Sequence, residues 1–201
     1  MSYLAKRTEG RDGAPLFLTF HGTGGTEDQF HGLAEELLPG AHIVSPRGDV
    51  SEMGALRYFR RTGEGVYDMA DLAGRTAAMA AFIETEAART RAARVIGLGY
   101  SNGANILASV MLSRPDLVDD AVLMHPLIPW VPDPVPGLRG RRILITAGER
   151  DPICPAPLTR TLESFLARQG AAVETLWHPG GHEIRGEELV GIRQFMATAT
   201  A

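Results

Sequence analysis

The chain has 201 residues, 44% of them hydrophobic and 22% charged, with a formal net charge of −4 at pH 7. That is enough apolar material for one domain with a full core, and the mild acidity excludes the basic surface of a nucleic-acid or acidic-membrane binder. Met1–Arg7 lacks the apolar centre of a signal peptide, no apolar run nears bilayer-spanning length, and the lone Cys154 cannot form an internal disulfide, so a cytoplasmic protein is expected.

Residues 1–14 are polar and predict one short edge strand and a turn. Pro15–Phe20 is a continuous apolar run, expected to be a buried parallel strand. It enters the Gly-rich turn His21-Gly22-Thr23-Gly24-Gly25. Thr26 and Gln29 have capping-box spacing for a helix carrying Phe30, Leu33, Leu37 and Leu38 on one face, stopped by Pro39-Gly40. A strand at 42–45 follows. Residues 47–67 show no clear period and read as a long loop, which in a compact domain is usually functional. Met69, Leu72, Met79 and Ile83 then share one helical face. Residues 95–100 form a strand and 104–113 a helix, with a further strand at 121–124. A Pro-rich connection leads to a strand at 142–147. A helix striped by Leu158, Leu162, Phe165 and Leu166 follows, then a strand at 172–177 and a helix carrying Leu189, Ile192, Phe195 and Met196. Strands alternating with helices predict a mostly parallel sheet covered on both faces, in one domain over residues 1–201.

The joint between the strand at 95–100 and its helix carries Gly99-Tyr100-Ser101-Asn102-Gly103, a Gly-x-Ser-x-Gly pattern. A serine there sits on a strained strand-to-helix turn with its hydroxyl above the sheet. The carboxyl ends of the parallel strands also deliver Asp151 and then His182, and Ser…Asp…His is the chain order of α/β-hydrolase triads. His182 would take the serine proton and Asp151 would hold the imidazole in the required tautomer. The N–H groups of Thr23 and Asn102 are candidates for an oxyanion hole. Against these stand plainer roles. Asp151 could only cap a turn, with Asp120 and Asp133 as weaker substitutes, and His178 and His21 read as structural. Cys154 reads as a buried small residue. No His, Asp, Glu or Cys grouping has metal-ligand spacing, so no metal is expected.

The segments His21–Gly25, Gly99–Asn105, Gly148-Glu149-Arg150-Asp151-Pro152 and Gly180-Gly181-His182-Glu183 resemble the phospholipase/carboxylesterase family of α/β-hydrolases. The resemblance spans nearly the whole chain. It is nearest to small bacterial carboxylesterases associated with hydroquinone resistance, whose pattern Ser45–Gly48, Phe59–Arg61 and Glu64–Asp68 also look like. It implies an α/β-hydrolase fold, Ser101, Asp151 and His182 as catalytic residues, and Thr23 and Asn102 as oxyanion donors. It further implies hydrolysis of a small-molecule carboxylic ester or thioester without cofactor or metal, and a homodimer.

The stretch from Pro126 to Gly140 leaves no room for a lid domain, so an open site for short-chain esters is expected. Phe59, His125, Trp130, Ile153 and Ile184 are candidate walls, and Arg60 a candidate partner for a substrate carboxylate. A thioesterase, a dienelactone-like lactone hydrolase, and a catalytically silent binding module are the competing readings.

Overall fold

A computed structural model of the chain describes residues 3–199. Residues 1, 2, 200 and 201, which the readings of the N-terminal start and of a single domain over 1–201 include, lie outside the described residues. The elements run β1 (Ala5–Thr8), β2 (Leu16–Phe20), α1 (His31–Leu37), β3 (His42–Pro46), β4 (Val50–Glu52), β5 (Ala55–Arg57), β6 (Arg61–Gly63), β7 (Val66–Tyr67) and α2 (Met69–Thr90). They continue with β8 (Val95–Tyr100), α3 (Asn102–Ser113), β9 (Asp120–Met124), a 3-10 turn (Pro136–Leu138), β10 (Arg142–Gly148), α4 (Ala156–Arg168), β11 (Ala172–His178) and α5 (Gly186–Ala199).

Seven strands form one sheet in the order β1-β3-β2-β8-β9-β10-β11, parallel throughout except for β1, which pairs antiparallel with β3. This is the α/β-hydrolase fold. Strand residues alternate between two apolar layers. Leu16, Leu18 and Phe20 face the layer holding α2, α3 and α4, whereas Phe17, Ile96 and Leu98 face α1 and α5. Each fully buried Leu, Ile or Phe stabilises the fold by about 1.5–3 kcal/mol, so these two layers hold the strand ends that carry the site.

Glycine decides how closely α3 approaches the sheet. A Cβ on Gly97 would lie 2.8 Å from the Leu107 side chain, and one on Gly99 would lie 2.5 Å from the Gly103 carbonyl oxygen. A Cβ on Gly103 would strike the carbonyls of Phe20 and His21. Without side chains at these places, α3 springs directly from the end of β8.

Several local expectations are corrected. α1 begins at His31 without a side-chain cap, so Thr26 and Gln29 form no capping box; Gln29 Oε1 instead accepts the Gly22 N–H at 2.8 Å. Residues 47–67 are not a plain loop but two hairpins, β4–β5 and β6–β7. Strands of two or three residues are too short to show alternation. Met69 and Leu158 belong to helices but are exposed, because each lies in the first turn, short of the core. β11 is the far edge strand and is only partly buried, not sheathed like its neighbours. Among the described residues, the connection from β9 to β10 contains one 3-10 turn and no lid, and no helix is long and apolar enough to cross a membrane.

Candidate active site

Ser101 follows β8 with φ 52° and ψ −116°, a conformation that an L-residue holds only under strain. Its backbone is pinned on both sides: its N–H donates to the Met124 carbonyl at 2.9 Å, and its carbonyl accepts from Asn105 N at 2.9 Å. The hydroxyl lies 2.9 Å from His182 Nε2, and His182 Nδ1 lies 2.7 Å from Asp151 Oδ2. Three residues from separate strand ends thus stand in one hydrogen-bonded row. Burial acts to raise the Asp151 pKa, but hydrogen bonds from His125 and His182 hold its carboxyl well below the usual range. The other oxygen, Oδ1, accepts from Ile153 N and Cys154 N at 2.8 and 2.9 Å, so Asp151 also closes its own turn.

His182 is held by Tyr100, whose hydroxyl donates to the His182 carbonyl at 2.7 Å and whose ring lies 5.3 Å from the imidazole. Gly148 lets the loop carrying His182 press against the end of β10, since a Cβ there would strike the carbonyls of Gly181 and Gly180. The Tyr100 contact is invisible in sequence because it joins residues 82 positions apart.

Asn102 opens α3, and among the described residues neither its N–H nor that of Thr23 has an acceptor within the chain. Both residues line the same cavity as Ser101 and His182. Asn102 Oδ1 accepts the Tyr58 N–H at 2.7 Å, and Thr23 Oγ1 accepts from Arg57 Nη1 at 2.8 Å, which ties the Gly-rich turn to the hairpins. His21 braces that turn: its Nδ1–H donates to the Gly22 carbonyl at 2.7 Å and its Nε2 accepts the Gly48 N–H at 2.9 Å.

The cavity beside Ser101 has a volume of about 290 Å³. Its walls differ from those expected. Ile153 lines it, but Phe59 is wholly buried beneath the hairpins against Tyr67, and Ile184 packs into the layer with α1 and α5. Trp130 borders a different, larger groove between α2, α3 and the Pro-rich connection, where Asp133 also lies. Arg60 points to solvent, and the cations at the cavity are Arg57 and Arg61, both paired with Glu52. Tyr67, Glu64, Leu127, Tyr100, Asn105 and Cys154 also line it. Within the hairpin region it is residues 57, 61 and 67 that turn toward the cavity, where a loop reading allowed any of them to do so. Asp120 is spent on Arg94, at 2.6 Å.

His125 is not a wall either. It lies fully buried under the row, with Nδ1 2.9 Å from Asp151 Oδ2 and Nε2 3.1 Å from Glu188 Oε1. Burial alone would lower its pKa, but the Asp151 and Glu188 carboxylates outweigh burial and lift it to about 9. Because the folded value lies above the ordinary 6.5, this stabilisation is complete below pH 6.5 and is lost as pH rises through about 9. The thermal midpoint is therefore expected to fall across that window, and a His125→Gln variant to lack this component of the fall. Glu188, which no sequence signal marks, also accepts from Thr146 Oγ1 and from Arg185 N, both at 2.6 Å. His178 is structural, accepting the Gly180 N–H at 3.1 Å. Cys154 donates to the His125 carbonyl at 3.0 Å, and burial pushes its thiol far above the usual range, which keeps it unreactive.

Two groups of side chains come close enough to share a cation, His125–Asp151–His182 and His125–His178–Glu188. In the first, however, the donor atoms already face one another in hydrogen bonds, and the second is wholly buried around a His125 whose two nitrogens are both engaged.

Residues 60–183 match the family model described as Dienelactone hydrolase family. The chain is 38% identical over 187 residues to "Putative hydrolase MhqD" of Bacillus subtilis (strain 168), covering 92% of this chain and 93% of that one. Among solved structures it is similar to the protein Atu2452 of unknown function from Agrobacterium tumefaciens str. C58, with 59% identity, TM-score 0.95 and coverage of 98% and 96%. It is also similar to the Bacillus cereus carboxylesterase, with 34% identity, TM-score 0.93 and coverage of 98% and 94%.

Proposed function

Because the chain belongs to the dienelactone hydrolase family and is an ester hydrolase, we propose that it is a serine carboxylesterase acting on small, short-chain esters through an acyl-enzyme. The observation that carries this reading is the row Ser101–His182–Asp151, with contacts of 2.9 and 2.7 Å, opening into a cavity. Ser101 Oγ attacks the ester carbonyl while His182 Nε2 takes its proton, and Asp151 holds the other nitrogen's proton and offsets the imidazolium charge. The N–H groups of Thr23 and Asn102 stabilise the tetrahedral oxyanion. His182 returns the proton to the leaving alkoxide, then activates water to release the acid. The work is done in one chain as a single domain.

The cavity of about 290 Å³ favours short chains, since it sits at the low end of about 300–1,000 Å³ for small-molecule sites. A panel of p-nitrophenyl esters tests this. kcat/KM is expected to peak at two to four acyl carbons and fall about tenfold or more by ten carbons, since misplacing the reacting carbonyl by 1 Å already costs about 10² in rate. A preference for long-chain esters would reject the short-chain reading. Parallel thioester and lactone substrates separate the two competing hydrolase readings, because an activated serine serves all three.

A further inference from the structure

We propose that His125 is a positioning residue, a buried imidazolium that shares the catalytic carboxylate of Asp151 with His182 and is itself neutralised by Glu188. The inference rests on the esterase reading and adds two residues beneath it. Asp151 Oδ2 accepts two imidazole N–H groups, from His182 Nδ1 at 2.7 Å and from His125 Nδ1 at 2.9 Å. The far nitrogen of His125 meets Glu188 Oε1 at 3.1 Å, and all three side chains of the inner group, Asp151, His125 and Glu188, are at most 1% exposed. An imidazole with a carboxylate at each nitrogen must carry both protons, or one carboxyl must take one up. Two buried carboxylates joined by one cation leave a net charge of −1, the same as a lone Asp, and the second oxygen of Glu188 also faces His178 Nε2 at 3.3 Å.

The backbone carries a second mark. His125 has φ 50°, a strained conformation for a residue with a side chain, at the strand end next to the one that carries Ser101. That turn aims the ring under Asp151 instead of into the cavity. Every neighbouring element faces this ring with a defined group. Tyr100 of β8 lies edge-on at 5.8 Å, and His178 of β11 lies at 5.4 Å. Thr146 of β10, Arg185 N and, at 3.3 Å, His178 Nε2 of β11 face Glu188, and Cys154 holds the His125 carbonyl.

The consequence falls on His182, whose ring centroid is 5.1 Å from that of His125. The His125 imidazolium stands on the same oxygen and partly offsets the Asp151 charge that His182 faces, while Glu188 lies on its far side. His125 thereby holds Asp151 ionised and in place beneath His182.

Two measurements test this on the intact protein. By ¹⁵N NMR of the native chain at pH 7.5, both His125 ring nitrogens are expected to be protonated, and in Glu188→Gln the titration of this ring should fall by about one pH unit or more. In His125→Gln, the acidic limb of the kcat/KM profile should move up by about one pH unit, a shift that loosened packing alone would not produce. A bare ring nitrogen on native His125 at pH 7.5 would overturn the proposal, as would an unmoved limb in a folded His125→Gln protein. Should that variant fail to fold, the NMR result on the native chain still decides. A native chain that hydrolyses no ester overturns the esterase reading and the positioning role with it, whereas an active chain with neutral His125 overturns only the latter.

Discussion

Replacing Ser101 by Ala is expected to lower ester turnover by about 10⁴- to 10⁶-fold while leaving the fold unchanged. Among the described residues the hydroxyl makes one hydrogen bond, to His182 Nε2, and no buried group depends on it for its own. The backbone bonds to Met124 and Asn105 survive the change, and alanine holds φ 52° with no more strain than serine does. Residual hydrolysis would come from binding and the oxyanion donors alone. Steady-state rates on a p-nitrophenyl ester, with the thermal midpoint measured alongside, check both halves of the expectation. A loss of only a few fold would mean that another group attacks the ester.

Asp151→Asn carries the second largest expected effect, a loss of about 10⁴ in kcat, and here it should also destabilise the fold. All four groups that approach the carboxylate are donors: His182 and His125 at Oδ2, Ile153 N and Cys154 N at Oδ1. An asparagine must turn its NH2 toward one pair or the other, so donor meets donor in either orientation. The buried His125 also loses one of its two balancing charges. Breaking a buried ion pair from one side costs about 3–5 kcal/mol, so the thermal midpoint should drop markedly, unlike that of the Ser101→Ala protein. An asparagine variant with native stability would show that Asp151 is not ionised against the two imidazoles.

The contrast between these variants follows from what each position does, and the same distinction explains what was legible in the sequence. Long apolar strands and the glycines around Ser101 leave strong local signals, because a buried parallel strand needs continuous apolar residues and close helix approach tolerates no Cβ. The fold and the order Ser…Asp…His could therefore be read directly. The cavity walls could not. Residues 47–67 fold as hairpins of two or three residues a strand, too short to alternate visibly, so Arg60 and Phe59 stood in for Arg57, Arg61 and Tyr67. His125 carries no local sign that its ring turns away from the cavity, since its place depends on Asp151 and on Glu188, 63 residues further along. Glu188 itself sits in a first helical turn, where an acidic residue is ordinary and usually exposed. Tyr100 is hidden in the same way, inside a motif position that accepts any residue.

Ser101 is the nucleophile of the proposed reaction, and a fluorophosphonate probe reads its activation without knowledge of the substrate. Intact mass spectrometry after exposure should show a single adduct on the native chain and none on Ser101→Ala. The adduct should form much more slowly on Asp151→Asn. A folded native chain that takes no adduct would contradict an activated Ser101, because a serine hydrogen-bonded to a working base cannot stay inert, and the chain would then be a binding protein built on a hydrolase fold.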